Sequence, residues 1–128
     1  MTVALRVDRR TAPSGVRLLA LDGEADFDTA GVLAGALHRA LTDEPVPLVL
    51  VVDCSRLEFC SSAGLNELLR ARKAALDGAT AFRLAGPSAQ LARLLALTGT
   101  DAVFRMAPPP ARPDRPSPAA PTAGPVTG

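Results

Sequence analysis

The chain has no Trp and no Tyr, and its four Phe make up an aromatic share of only 3%. Without aromatic platforms on which bases can stack, single-stranded nucleic-acid binding is disfavoured. Of its 14 basic residues only Lys73 is a lysine, and the formal net charge of +1 leaves no basic stripe for a phosphate backbone. There are two cysteines, Cys54 and Cys60, and one histidine, His38. Six residues apart with no further ligands nearby, the cysteines read as small buried thiols rather than a metal site. With no secretory signal pattern, they do not suggest a disulfide framework either. The longest apolar run, from Val46 to Val52 and broken by Pro47, falls far short of the ~20 residues that span a bilayer. A soluble, cytoplasmic protein with no membrane association is expected.

What is present is a core vocabulary of Leu, Val and Ala, 48% of the chain being hydrophobic. A length of 128 residues suits one domain able to bury a core. The composition changes at Ala107: the stretch 107–128 holds eight of the twelve prolines, with small and polar residues between them. Such a stretch cannot form a hydrogen-bonded ladder, which predicts a folded domain over 1–106 and a disordered tail over 107–128.

Within 1–106, the alternation of Val3 to Val7 predicts a strand, and Pro13 and Gly15 a turn leading into a second strand from Val16 to Leu21. Asp28 or Thr29 can cap a helix whose apolar positions are Leu33, Ala36, Leu37, Ala40 and Leu41, with His38 and Arg39 turned outward. Pro45 and Pro47 then lead into a strand over Leu48 to Val52, apolar enough to be covered on both faces. A loop from Asp53 to Ser61 opens a second helix, with Leu65, Leu68, Leu69, Arg72 and Leu76 on one side and Gly78 at its end. Ala81 to Ala85 reads as a strand, Ser88 as the cap of a helix carrying Leu91, Leu94 and Leu95 and closed by Gly99, and Ala102 to Phe104 as a last strand. The order β-β-α-β-α-β-α-β predicts an α/β layered domain: a mixed sheet with helices packed on it, the later strands parallel and joined by right-handed crossovers.

The chemistry concentrates where the third strand empties into the second helix. Ser61 or Ser62 falls in the N-cap region, where a hydroxyl accepts a hydrogen bond from an unpaired backbone N–H. A phosphate at such a place is locally tolerated by the helix dipole, yet adds nearly two negative charges to an exposed patch. A nucleophile elbow would need Gly on both sides of the serine. Gly64 follows Ser62 at the right spacing, but Cys60 precedes it, and nothing brings His38 near. No Walker loop occurs. The pattern is not that of an enzyme.

The run Phe59-Cys60-Ser61-Ser62-Ala63-Gly64-Leu65 resembles the signature of STAS-domain anti-sigma factor antagonists, usually Phe-x-Asp-Ser-Ser-Gly-Leu or Phe-x-Asp-Ser-Thr-Gly-Leu. Leu21-Asp22-Gly23-Glu24-Ala25-Asp26 resembles the family's Gly-Glu-Leu-Asp, with Thr29 near the helix start. Gly86-Pro87-Ser88 and the helix over Leu91 to Gly99 resemble its closing segment. The resemblance implies an antagonist that, unphosphorylated, binds an anti-sigma factor with serine kinase activity and so frees a sigma factor. Phosphorylation at Ser62 would block the complex and a PP2C-type phosphatase would restore it. It further implies a partner-binding face drawn from Asp26, Ser61, Ser62, Gly64 and Leu65, no cofactor of the chain's own, and a monomer. One departure bears on this. Ser61 stands where the family has Asp, which implies that phosphorylation is slow, absent or shared with Ser61. The alternative is a STAS docking or ligand-sensing module that is never phosphorylated. A third reading, the cytoplasmic end of an anion transporter, lacks the membrane spans it would need.

Overall fold

A five-stranded sheet in the order β1-β2-β3-β4-β5 organises the computed structural model, which describes residues 4–108. The strands are β1 (Arg6–Thr11), β2 (Val16–Ala25), β3 (Val49–Cys60), β4 (Ala81–Ala85) and β5 (Arg105–Ala107). The connecting helices are α1 (Ala30–Thr42), α2 (Ser62–Asp77) and α3 (Ala89–Thr98). β1 and β2 pair antiparallel as a hairpin, and every later pairing is parallel. This is the predicted mixed α/β sheet with three helices. Because successive parallel strands step the same way across the sheet, right-handed crossovers carry all three helices to one face. Leu19 and Leu21 of β2, Leu50 and Val52 of β3 and Phe82 and Leu84 of β4 are buried there. With them are Leu33 and Leu37 of α1, Leu65 and Leu68 of α2, and Leu91 and Leu95 of α3.

The helix boundaries follow local chemistry. Ser88 Oγ accepts from Leu91 N at 3.2 Å at the start of α3, and Gly99 ends it in the left-handed region at φ 74°. α1 ends against a buried arginine. Arg17 donates from its Nη atoms to the carbonyls of Ala40 (2.8 Å), Asp43 (3.0 Å) and Pro45 (2.9 Å), and from Nε to Thr11 Oγ1 (2.8 Å). A cation set among the terminal carbonyls of a helix meets the negative end of its dipole. Arg17 falls in phase with Leu19 and Leu21 on the buried side of β2, and its carbonyl partners, distant in sequence, cannot be read from that pattern.

Four readings are corrected. The first strand is Arg6–Thr11 rather than Val3 to Val7. Pairing with β2 as far as Arg17 holds Thr11 in the ladder, while Leu5 is buried just ahead of it and Val3 lies outside the described residues. The stretch 53–60 is not a loop: β3 runs to Cys60 and pairs with Asp22 to Ala25, an extension of β2 past Leu21. Two register shifts, between Ala20 and Asp22 and between Gly23 and Glu24, keep the pair aligned. Gly23 has φ 121°, and a side chain there would strike the Ala4 carbonyl. The last strand is Arg105–Ala107, and Ala102 ends a short 3-10 turn; Phe104 instead packs on Phe82, ring centroids 6.2 Å apart. In α2, Leu76 is 59% exposed, and Ala71 and Ala75 take the buried positions. The predicted tail lies, from residue 109 on, outside the described residues. Among the described residues no helix is long and apolar enough to cross a membrane.

Candidate functional site

Two elements meet at the end of the sheet where β2 turns into α1 and β3 turns into α2. Ser61 N donates to Ala25 O at 2.9 Å, so the residues following that pair, Asp26 and Ser62, are brought to the same edge. Gly64 makes the approach possible. A Cβ there would lie 2.7 Å from Ala25 O and 2.9 Å from Ala25 Cβ, closer than real Cβ contacts allow, and a tight 3.0 Å from Cys60 Sγ. From the other side the Gln90 amide holds the strand end: Oε1 accepts from Cys60 N and Nε2 donates to Cys60 O, both at 2.8 Å. The side chain completes for β3 what a neighbouring strand would have supplied. Gln90 was not singled out in the sequence, since an amide one residue into a helix has no pattern of its own.

The two serines differ in duty. Ser61 is the N-cap of α2, its Oγ accepting from Ala63 N at 3.2 Å and Gly64 N at 3.5 Å. Ser62 is the first residue of the helix and exposed, and its hydroxyl takes no hydrogen bond among the described residues. Of the residues assigned to a partner face, Gly64 and Leu65 are buried and shape the helix start from beneath, while Ser61 and Asp26 are half-buried. Asp26 also orders the corner: Oδ1 accepts from Asp28 N and Thr29 N, each at 3.0 Å. Thr29 Oγ1 in turn donates to Glu24 O at 2.8 Å and accepts from Asp26 N at 2.9 Å. Two aromatic rings flank this edge, Phe27 at 85% and Phe59 at 41% exposure. A lone Phe among acidic residues carries no periodicity, so the sequence does not mark Phe27.

Both thiols are free and buried. Burial, with the charges of Cys60 and Asp53 adding to it, pushes Cys54 up to about 12, and burial alone pushes Cys60 up to about 11. Thiols held protonated in this way are neither nucleophiles nor good metal ligands. No group of His, Cys, Asp and Glu suited to a metal ion occurs among the described residues. His38 is exposed on α1, where it lines a groove of about 580 Å3 with Arg70 and Ala74 of α2; Ser62 is not part of that groove.

The sheet and helical layer that hold this edge are shared with known proteins. The model of the STAS domain family (Mlab, STAS domain) matches residues 9–107. The anti-sigma-F factor antagonist RsfB of Mycobacterium tuberculosis is 32% identical over 93 residues, covering 73% of this chain and 74% of that protein. The crystal structure of an anti-sigma factor antagonist from Mycobacterium paratuberculosis superposes with a TM-score of 0.72 at 29% identity, over 87% of this chain and 90% of that one. SpoIIAA, an anti-sigma factor antagonist solved in its unphosphorylated form, shares the fold with a TM-score of 0.66 at 18% identity, over 80% of this chain and 88% of that one. The chain is a STAS domain and belongs to the family of STAS-domain anti-sigma factor antagonists.

Proposed function

We propose that this chain binds an anti-sigma factor through the edge formed by Asp26, Ser61 and Ser62, and that phosphorylation of Ser62 by that partner switches the complex off. The observation that carries the reading is the division of labour between the serines: Ser61 is spent on capping α2, and Ser62 is exposed and unbonded. Gly64 and Leu65 support the edge from below. The partner kinase supplies ATP, a PP2C-type phosphatase removes the phosphate, and the chain works without a cofactor or an activity of its own, as a soluble cytoplasmic monomer. A phosphate on Ser62 sits at the positive end of the α2 dipole and leaves the fold intact. The partner, in contrast, must accommodate close to two extra negative charges in a face already carrying Asp26 and Asp28.

The test is to incubate the chain with the cognate anti-sigma factor kinase and ATP and to read phosphate incorporation by mass spectrometry. One phosphate, lost in Ser62→Ala and kept in Ser61→Ala, supports the assignment; a phosphate that follows Ser61 contradicts it. A second reading, a docking module that is never phosphorylated, is favoured by the hydroxyl of Ser61 where the signature that the Phe59–Leu65 run resembles has Asp. Tight partner binding with no phosphate under the same conditions selects it.

A further inference from the structure

The groove between α1 and α2 has no part in the antagonist reading. Its walls are two helix faces at helical spacing, Leu37, His38 and Leu41 from α1 and Glu67, Arg70 and Ala74 from α2. Its volume of about 580 Å3 falls within the range of small-molecule sites, roughly 300–1,000 Å3. α1 leads from β2 to the parallel β3, and α2 from β3 to the parallel β4, so the two helices run back along the sheet in the same direction. Glu67 and Arg70 therefore stand toward one end of the groove, and Leu41, Ala74 and Val46 toward the other. At that second end no charged side chain lines it, and the hydroxyls of Thr42 and Thr80 are spent on the carbonyls of His38 (2.8 Å) and Pro47 (2.9 Å).

The charged end is underused. The Glu67 side chain is only 18% exposed, yet its one charged partner, Arg70 Nη1, lies 3.8 Å away, beyond hydrogen-bond reach, on a side chain 78% exposed. Neither group has another polar partner among the described residues. A pair so loosely made contributes little to the fold. A carboxylate and a guanidinium side by side, both with hydrogen-bonding capacity unspent, complement a ligand that carries an ammonium and a carboxylate on one carbon. A lone cation or a lone anion would satisfy one of the two and crowd the other. We propose that the groove binds a free apolar α-amino acid of the leucine class. Its ammonium donates to Glu67, its carboxylate accepts from Arg70, and its side chain lies against Leu37, Leu41 and Ala74. The site does not involve Ser62 and stands whether or not that serine is phosphorylated.

The experiment titrates the full chain, without any partner, with L-leucine at neutral pH and constant ionic strength, reading amide shifts by NMR and the melting temperature. Isoamylamine and isocaproate, which keep the leucine side chain but carry only the ammonium or only the carboxylate, are the matched controls. Saturating shifts at Leu41, Glu67, Arg70 and Ala74 are expected, with half-saturation at millimolar leucine or below and binding of either control roughly tenfold weaker. Glu67→Gln should bring leucine down to the level of isocaproate, and Arg70→Gln to the level of isoamylamine. Ala74→Phe, which fills the apolar end from an exposed position, should abolish binding of all three while the ligand-free melting temperature stays near that of the parent. Arg93→Gln on α3 should bind as the parent does. Equal affinity for leucine and either control, shifts that grow linearly without saturating, or leucine binding that survives undiminished in Glu67→Gln and Arg70→Gln overturns the proposal.

Discussion

Ser61 and Ser62 carry the same side chain and adjoin in sequence, yet only one of them has a structural task. The Ser61 hydroxyl satisfies amide groups at the start of α2 that otherwise have no partner, and Ser62 points into solvent. Replacing an N-cap serine by Ala costs about 1 kcal/mol, whereas a change at an exposed first-turn position is close to neutral. Ser61→Ala is therefore expected to lower stability by about 1 kcal/mol in urea unfolding and Ser62→Ala by less than about 0.5 kcal/mol. Equal losses would mean that both hydroxyls cap the helix. Asp is as good an N-cap as Ser. Ser61→Asp should thus keep the stability of the parent while supplying the carboxylate of the signature that the Phe59–Leu65 run resembles, and, under the proposed switch, a faster rate of phosphate incorporation at Ser62 is the expected readout. An unchanged rate would show that the carboxylate has no part in the transfer.

The elements holding the edge are packed to different tolerances. Leu68 is fully buried in α2, and Leu68→Ala should cost about 2–5 kcal/mol through lost burial and the cavity left behind. Gly64 faces the opposite hazard: Gly64→Ala forces α2 away from Ala25 O and Cys60 Sγ and should cost about 1–3 kcal/mol. That variant also shifts the edge itself, so partner affinity should fall with it, whereas Leu68→Ala should leave the affinity of the folded fraction unchanged. Chemical denaturation and a binding isotherm on the same samples separate the two effects.

The helices were legible in the sequence from their apolar period, Leu33, Leu37 and Ala40 in α1 and Leu91 and Leu95 between Ser88 and Gly99 in α3; the expected cap of α1 is not made, since Thr29 Oγ1 bonds Glu24 O and Asp26 N instead of the helix amides. The strand ends were not legible. The pairing of Asp53 to Cys60 with the end of β2 is set by a partner distant in sequence, and the polar residues Ser55, Arg56 and Glu58 mask the buried Leu57 between them. The candidate site was legible as a run of residues, from Phe59 to Leu65, but not as a surface. Phe27 and Gln90 join it only through the fold.

For the whole molecule, the buried thiols tie stability to alkaline pH. In the folded chain Cys54 and Cys60 stay protonated up to about 12 and about 11, against an ordinary value of 9.0 when unfolded. Their contribution is complete below pH 9.0 and is lost as the pH climbs from there toward their folded values, because only the unfolded chain releases the protons. With no Tyr to titrate in the same range, a fall in melting temperature above pH 9.0 should be traceable to them. The fall should be shallower in Cys54→Ala and Cys60→Ala, even though each starts from a lower melting temperature. Parallel curves for the parent and both variants would assign the alkaline transition to other groups.

The account depends on charge added at Ser62 weakening partner binding in a protein that remains folded. The direct measurement is the affinity of the anti-sigma factor kinase for the unmodified chain and for the chain phosphorylated at Ser62, with circular dichroism and melting temperature recorded on both. A loss of about 10-fold to 100-fold in affinity, about 1.4 to 2.8 kcal/mol, with superimposable spectra is the predicted result. Equal affinities for the two forms, or a phosphorylated form that has lost its fold along with its binding, would contradict it.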